Sequence, residues 1–320
     1  MIKQVVKAAL ASGPGWRFAS RFRRPGRITV LMYHRITNGA GPFEGTDREA
    51  FRNQMRWIRA NCRPIAPDEL SHPPARTDGS RPEVLVTFDD GYRDYHDYAY
   101  PILDELRIPS VIFLATSFID RPGLIWTDAV GWAVAQSSKT QVELPWDGSR
   151  VSLGDGPARR HCASVCKQYL KRVSDTERVR WQDQLFERLE AVPNADVIER
   201  QMLNWDEVRA TRALTSIGGH THTHPILSQV SRERAQEEIR LCTERITAET
   251  GVAPRFFAYP NGRAQDFNGQ TRELLLAHGY ELGFSTIEGL HVRGSDPLAI
   301  RRQPTQSRTL GDFAMLVAGR

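Results

Sequence analysis

Seven short apolar runs separated by helix-like patterns set the strongest limit on what this chain can fold into. They are ITVLMYH (28–34), EVLVTF (83–88), SVIFLA (110–115), LTSIGG (214–219), RFFAY (255–259), ELGFST (281–286) and the weaker LAIRR (298–302). Amphipathic patterns fall near 47–60, 93–107, 231–250, 270–278 and 309–318. Strands alternating with helices predict parallel strands joined by crossover helices. Seven are enough for a closed barrel, where chemistry gathers at the C-terminal ends of the strands.

One stretch breaks the alternation. From about 120 to 204 strand signal is weak, while QYLKRVSDTERVRWQDQLFERLEAV reads as one or two amphipathic helices. This segment reads as a helical insertion that caps the barrel rather than an independent domain. Its basic residues Arg159, Arg160, Lys167, Lys171, Arg172, Arg178 and Arg180 read mostly as a solvated helix face, with phosphate binding as the sharper alternative. Cys162 and Cys166, beside His161, read as a small apolar helix face rather than a metal site. The chain's four cysteines are sparse and irregularly spaced, so reduced thiols are expected.

Charge divides the chain. Residues 1–27 hold seven basic residues and no acid, leaving 36 basic against 38 acidic residues in 28–320. A basic partner-binding surface over the whole protein is not implied, and no nucleic-acid partner is expected. In the N-terminal segment Ile2, Val5, Val6, Ala9 and Leu10 fit one helix face, and Trp16, Phe18 and Phe22 interleave with arginines. Residues 1–24 therefore suit peripheral contact with an anionic membrane, the plainer reading being a short helix packed on the barrel. Residues 1–11 lack the apolar core of a secretory signal, and no run reaches the roughly 18 apolar residues of a membrane span. The expected location is cytoplasmic, at the inner membrane face.

Two dense clusters end predicted strands. TFDDGYRDY (87–95) places Asp89 and Asp90 side by side after EVLVTF, where the plain reading is a loop with one Asp capping a helix. IGGHTHTHPIL (217–227) places His220, His222 and His224 within five residues. Two imidazoles and one carboxylate can hold a divalent cation and leave positions open for water and substrate, the plainer alternative being a polar His-rich loop. Zinc is the first choice, with nickel, cobalt or manganese as alternatives.

These motifs resemble those of the polysaccharide deacetylases, also called NodB-homology carbohydrate esterases. Thr87-Phe88-Asp89-Asp90-Gly91 matches their first motif. His220-Thr221-His222-Thr223-His224, followed by Pro225 and Leu227, matches the second. The resemblance covers about residues 28–302 and implies a deformed (β/α)7 barrel of the NodB-homology type within 28–320. It implies Asp89 as general base and Asp90, His220 and His224 as metal ligands, with no ligand role for His222. A carboxylate bound to a cation cannot easily take a proton, whereas its neighbour can.

The third motif departs from the family pattern. Phe257-Ala258-Tyr259-Pro260-Asn261-Gly262 stands in place of Phe-Arg-Pro-Pro-Tyr-Gly. The turn is kept, so the resemblance implies Asn261 N–H as oxyanion donor, with Tyr259 and Pro260 beside the substrate. Ala258 replaces the Arg that orients the base, and Arg255 is not assumed to substitute. The family's C-terminal Leu-x-x-His is also missing, and His278 and His291 lie in the wrong context. His34, in a MYH element ahead of TFDDG, resembles the acid of circularly permuted poly-N-acetylglucosamine deacetylases. Because first and last barrel strands are neighbours, a permuted strand carries its side chain to the same place. A strand-end His bonded to nearby backbone is the plainer alternative.

The implied activity is metal-dependent removal of an N-acetyl or similar acyl group from an amino sugar in a polysaccharide or glycoconjugate. Two alternatives stay open. One is a deacetylase or deformylase of a lipid-linked or nucleotide-linked monosaccharide; the other is a non-catalytic carbohydrate-binding barrel, made conceivable by the missing Arg.

Overall fold

The computed structural model describes residues 26–39, 43–72, 81–121, 123–193, 200–305 and 309–319. Residues 1–24, read above as suited to membrane contact, lie outside the described residues. The barrel strands are β1 (Arg27–Tyr33), β2 (Glu83–Phe88), β3 (Ser110–Leu114), β4 (Thr215–Gly219), β5 (Phe256–Ala258), β6 (Leu282–Glu288) and β7 (Ile300–Pro304). Neighbours pair in parallel in chain order, and β7 pairs with β1 to close the ring. Every apolar run is a barrel strand, including the weak LAIRR.

The ring is not regular. β4 and β5 meet through one registered pair, Phe257 with Gly219, and the β6–β7 register shifts between Phe284 and Glu288. Period-2 alternation then sorts the side chains. Val30, Leu85, Val111, Phe113, Phe284 and Ile300 form one buried cluster that fills the barrel. Leu31, Val86, Phe88, Ile112 and Leu114 point outward into a second cluster. Covering them are α1 (Arg48–Asn61), α2 (Tyr100–Leu106) and, further along the chain, the C-terminal helix Leu310–Ala318, through Phe51, Met55, Ile58, Leu103 and Phe313.

The insertion contains α3 (Trp126–Gln136), α4 (Gly156–Leu170), α5 (Asp175–Leu189) and a small hairpin of Gln141–Glu143 with Arg150–Ser152. α3 and the hairpin have no counterpart in the sequence reading. The amphipathic stretch resolves into two helices because Ser174 and Glu177 form a capping box. Ser174 Oγ accepts the Glu177 N–H at 3.3 Å, and Glu177 Oε2 accepts the Ser174 N–H at 3.1 Å. Cys162 and Cys166 are fully buried free thiols in the insertion's apolar cluster, which also takes in Tyr92 and Ala115 from the barrel rim.

The basic residues of the insertion divide by role. Arg159 donates to the carbonyls of Val134 at 2.7 Å and Ser137 at 2.9 Å, closing the C-terminal end of α3. Arg178 pairs with Asp175 at 2.6 Å. Lys167 and Lys171 instead turn toward the barrel mouth.

The rest of the barrel's outer layer is α6 (Trp205–Ala210), α7 (Arg232–Thr250), α8 (Gly269–Ala277) and α9, the helix Leu310–Ala318 already described. Among the described residues no helix is long and apolar enough to cross a membrane.

Candidate metal centre and active site

β2 delivers its acids to the barrel mouth through a turn that only glycine completes. Gly91 has φ +88°, and a Cβ there would lie 3.0 Å from Leu114 Cδ2 and 3.1 Å from Ile119 Cδ1. Asp90 itself sits at φ 77°, and Thr221, His224 and Asn261 also have positive φ. Left-handed backbone at non-glycine residues costs energy and gathers at functional sites. Here three of the four line one cavity, and the fourth, Thr221, accepts the His224 N–H at 3.0 Å. The His-rich loop is held from behind by Glu238 of α7, a fully buried carboxylate. It accepts the backbone N–H of His222 at 2.8 Å and of Thr223 at 2.7 Å.

Asp90, His220 and His224 converge and are buried. His220 Nε2 and His224 Nε2 lie 3.2 and 3.3 Å from Asp90 Oδ1, and 3.2 Å from each other. His220 Nδ1 meets the Ala258 carbonyl at 2.7 Å, so it carries the proton and leaves the Nε2 lone pair facing inward. His224 Nδ1 is buried without a partner among the described residues. The triangle suits a divalent cation. Ligands about 2.0–2.1 Å from zinc in a tetrahedral arrangement stand about 3.3–3.4 Å apart. Burial works against the Asp90 carboxylate, but the two histidines hold its pKa well below the ordinary value. His222 turns away, its Nδ1 2.9 Å from Thr116 Oγ1, in keeping with its exclusion as a ligand.

Asp89 has a partner that the motif reading missed. Arg302 of β7, fully buried, grips both carboxylate oxygens at 2.6 and 2.8 Å. Its Nε donates to the Ser285 carbonyl at 2.7 Å, and Nη1 to Thr87 Oγ1 at 3.2 Å. Such a fork fixes a carboxylate in orientation as well as charge. Burial would raise the Asp89 pKa, yet Arg302, with His34 and His220 behind it, keeps it below the usual value. Arg255 pairs instead with Glu281 and Asp68. A signal for Arg302 was present in LAIRR: on a strand one of two adjacent arginines must point inward.

His34 follows β1 directly. Tyr33 is in register with Phe88, and the Asp89 N–H donates to the Tyr33 carbonyl at 3.0 Å, so His34 and Asp89 emerge from adjacent strand ends. His34 Nε2 stands 3.8 Å from Asp89 Oδ2, and the side chain is 47% exposed. His291 is excluded from this mouth: it pairs with Ile28, at the far end of β1.

Tyr259 lines the cavity, while its hydroxyl donates to the Leu298 carbonyl at 2.9 Å and its ring stacks on Phe267. Pro260 is buried, and its carbonyl accepts the Gly262 N–H at 2.7 Å, so it shapes the turn. Asn261 lines the site, its side-chain amide tied to Asp266, and its backbone N–H has no acceptor among the described residues. Together these groups bound a cavity of about 260 Å³ walled by Trp126 and Thr127 of the insertion.

Residues 76–283 match the family model described as polysaccharide deacetylase. The chain belongs to the polysaccharide deacetylase family. It is 23% identical over 279 residues to the poly-beta-1,6-N-acetyl-D-glucosamine N-deacetylase of Escherichia coli (strain K12), covering 82% of this chain and 34% of that one. It is 33% identical over 95 residues to YxkH of Bacillus subtilis (strain 168), covering 28% of this chain and 33% of that protein. The chain thus spans about a third of the length of these curated relatives. Among solved structures, IcaB from Ammonifex degensii superposes with a TM-score of 0.59 at 19% identity, over 92% of this chain and 99% of that one. At that identity the likeness shows the fold, a (β/α)7 barrel.

The family match leaves out β1 and β7. Those two strands carry His34 and Arg302. The residues by which this family member departs from the common motif order are therefore the ones that barrel closure, rather than motif order, brings to the site.

Proposed function

We propose that this protein is a metal-dependent hydrolase that cleaves the amide of an N-acetylated or similarly acylated amino sugar in a polysaccharide or glycoconjugate. One observation carries the reading: a buried Asp–His–His triangle stands beside a second carboxylate clamped by Arg302, at the mouth of a cavity. Asp90, His220 and His224 would hold a divalent cation, with zinc the first choice because three His and carboxylate ligands with an open fourth position are its usual catalytic set, and nickel, cobalt and manganese the alternatives. When bound, the cation supplies Lewis acidity toward water and the acyl carbonyl.

In this reading the chain's own residues divide the remaining work. Asp89, kept ionised and oriented by Arg302, takes the proton from the attacking water through a carboxylate lone pair that Arg302 leaves free. The Asn261 N–H is available to the carbonyl oxygen as it gains charge. His34, across from Asp89, gives a proton to the departing amine nitrogen, which leaves poorly as an anion. The barrel without chemistry loses its main support, because the base-orienting Arg is present on another strand. The name of the Escherichia coli relative supports an N-acetylglucosamine polymer as the substrate class.

The test is acetate release from an N-acetylglucosamine oligomer by the full chain. Activity should disappear on chelation and return with added zinc. His34→Ala should keep its metal and lose about 10²-fold or more in kcat, with a smaller loss on an activated ester whose leaving group needs less protonation. Near-wild-type amide hydrolysis by that variant would remove His34 from the mechanism.

We also propose that residues 1–24 dock the protein on an anionic membrane surface from the cytoplasmic side, on the strength of their interleaved basic and aromatic residues. Full-length protein should co-sediment with anionic liposomes more strongly than a chain beginning at Arg27. Equal sedimentation of the two would defeat the proposal.

A further inference from the structure

A second, larger cavity of about 730 Å³ adjoins the metal site and shares His34, Asp90, Thr127, Lys171 and Arg263 with it. Six basic side chains line it against three acidic ones, in a body that is otherwise nearly neutral. Two of the six are committed. Arg35 is buried between Asp128 at 2.7 Å and Asp94 at 3.5 Å, and Arg159 closes α3. Lys167, Lys171, Arg160 and Arg263 have no carboxylate within ion-pair distance among the described residues.

The acids nearby do not balance them. Asp90 belongs to the metal triangle, and Asp128 is taken by Arg35 and by the Tyr92 hydroxyl at 2.9 Å. Glu44 is exposed. Asp266, near Lys171, accepts from Asn261 and from the Arg263 backbone N–H at 2.8 Å. Lys167 and Lys171 stand one turn apart at the end of α4, and both are half-buried. Their apolar neighbours Cys166 and Leu170 anchor that helix in the insertion's core. Lys167 Nζ lies over Gly131, where a Cβ would come within 3.1 Å of it. Burial, then the charges of Arg263 and Lys167, lower the Lys171 pKa. Partly desolvated like charges repel, so the arrangement gains stability when an anion enters.

We propose that Lys167, Lys171 and Arg263 bind a diphosphate ester carried by the sugar whose acyl group lies at Asp90, His220 and His224, making the substrate a phosphorylated amino sugar. This rests on the hydrolase reading above and, within it, selects the glycoconjugate over the polymer. A diphosphate fits better than a uronic carboxylate because several unpaired cations face the cavity, and ammonium groups bind phosphate oxygens as point charges. The ester has two chemical sources, a nucleotide or a polyprenyl lipid.

Calorimetry on the zinc-loaded full chain reads this site without turnover, so it answers even if no acyl group is released. The probes are UDP-N-acetylglucosamine, farnesyl diphosphate-linked N-acetylglucosamine and neutral tri-N-acetylchitotriose. Wild type should bind at least one diphosphate probe about 10-fold or more tightly than the neutral sugar, and the stronger of the two identifies the source. Lys167→Gln with Lys171→Gln should weaken that binding by about 10- to 100-fold, the usual range for charge-assisted contacts, with metal content and neutral-sugar affinity unchanged. Arg263→Gln, in an exposed loop residue, should weaken it without touching the insertion helix. Equal affinity of wild type for charged and neutral probes, or of the double variant and wild type for the diphosphates, would overturn the proposal.

Discussion

Metal content should vanish, and amide hydrolysis with it, when any one of Asp90, His220 or His224 is replaced by alanine. The three ligand atoms lie within 3.3 Å of one another, so each removal takes a third of a donor set that is already minimal. Two remaining ligands bind a divalent ion weakly. Asp89→Asn should behave differently. Its side chain faces Arg302 rather than the triangle, so metal should stay near stoichiometric while the rate falls by about 10²–10⁴-fold, the worth of a general base. Elemental analysis of the four purified variants separates the roles. Metal loss in Asp89→Asn with retention in Asp90→Ala would reverse the assignment of the two carboxylates.

Arg302→Ala should be the most damaging single change outside the metal ligands. The pair it forms with Asp89 is almost wholly excluded from water, with exposures of 0% and 2%. Removing one partner leaves an uncompensated buried charge, which costs about 3–5 kcal/mol. The base would also lose its orientation, and displacement on the order of 1 Å costs about 10²-fold in rate. A double variant, Arg302→Met with Asp89→Asn, should recover most of the stability because no unpaired charge remains, yet stay inactive. Arg255→Ala is the control: its partners are 43% and 47% exposed, so stability should change by about 1 kcal/mol or less and kcat not at all. Denaturant melts and steady-state kinetics on these variants check both expectations. Wild-type stability and kcat in Arg302→Ala would show that Asp89 needs no such clamp.

The barrel was legible because its signal is local. A buried parallel strand is mostly apolar on both faces, so six of the runs announced themselves without knowledge of their neighbours, and LAIRR, with its two arginines, only weakly. The Asp–His–His cluster was legible for a similar reason. Asp90 follows one run, and His220 and His224 follow another within five residues, so two short local motifs hold all three candidate donors. Both departures from the family motifs were read as departures; His34 was named in place of the missing His, but nothing was named in place of the missing Arg. Ala258 announced that an Arg was missing, and nothing near it announced Arg302, which lies 213 residues beyond Asp89 in the chain.

Closure of the ring decided that point. β7 pairs with β1, and β1 with β2, so an arginine on the last strand can reach across the barrel interior to an acid at the end of the second. Tertiary packing also tied the Tyr259 hydroxyl, at the cavity wall, to the Leu298 carbonyl. It split the basic residues of the insertion into Arg159 and Arg178, which hold helices, and Lys167 and Lys171, which face the cavity. Sequence by itself determined the strands, the His-rich cluster and the paired acids, because each depends on residues close together in the chain. Only the tertiary structure decided which arginine grips Asp89 and which lysines face the cavity, because side chains far apart in sequence meet there only once the ring has closed.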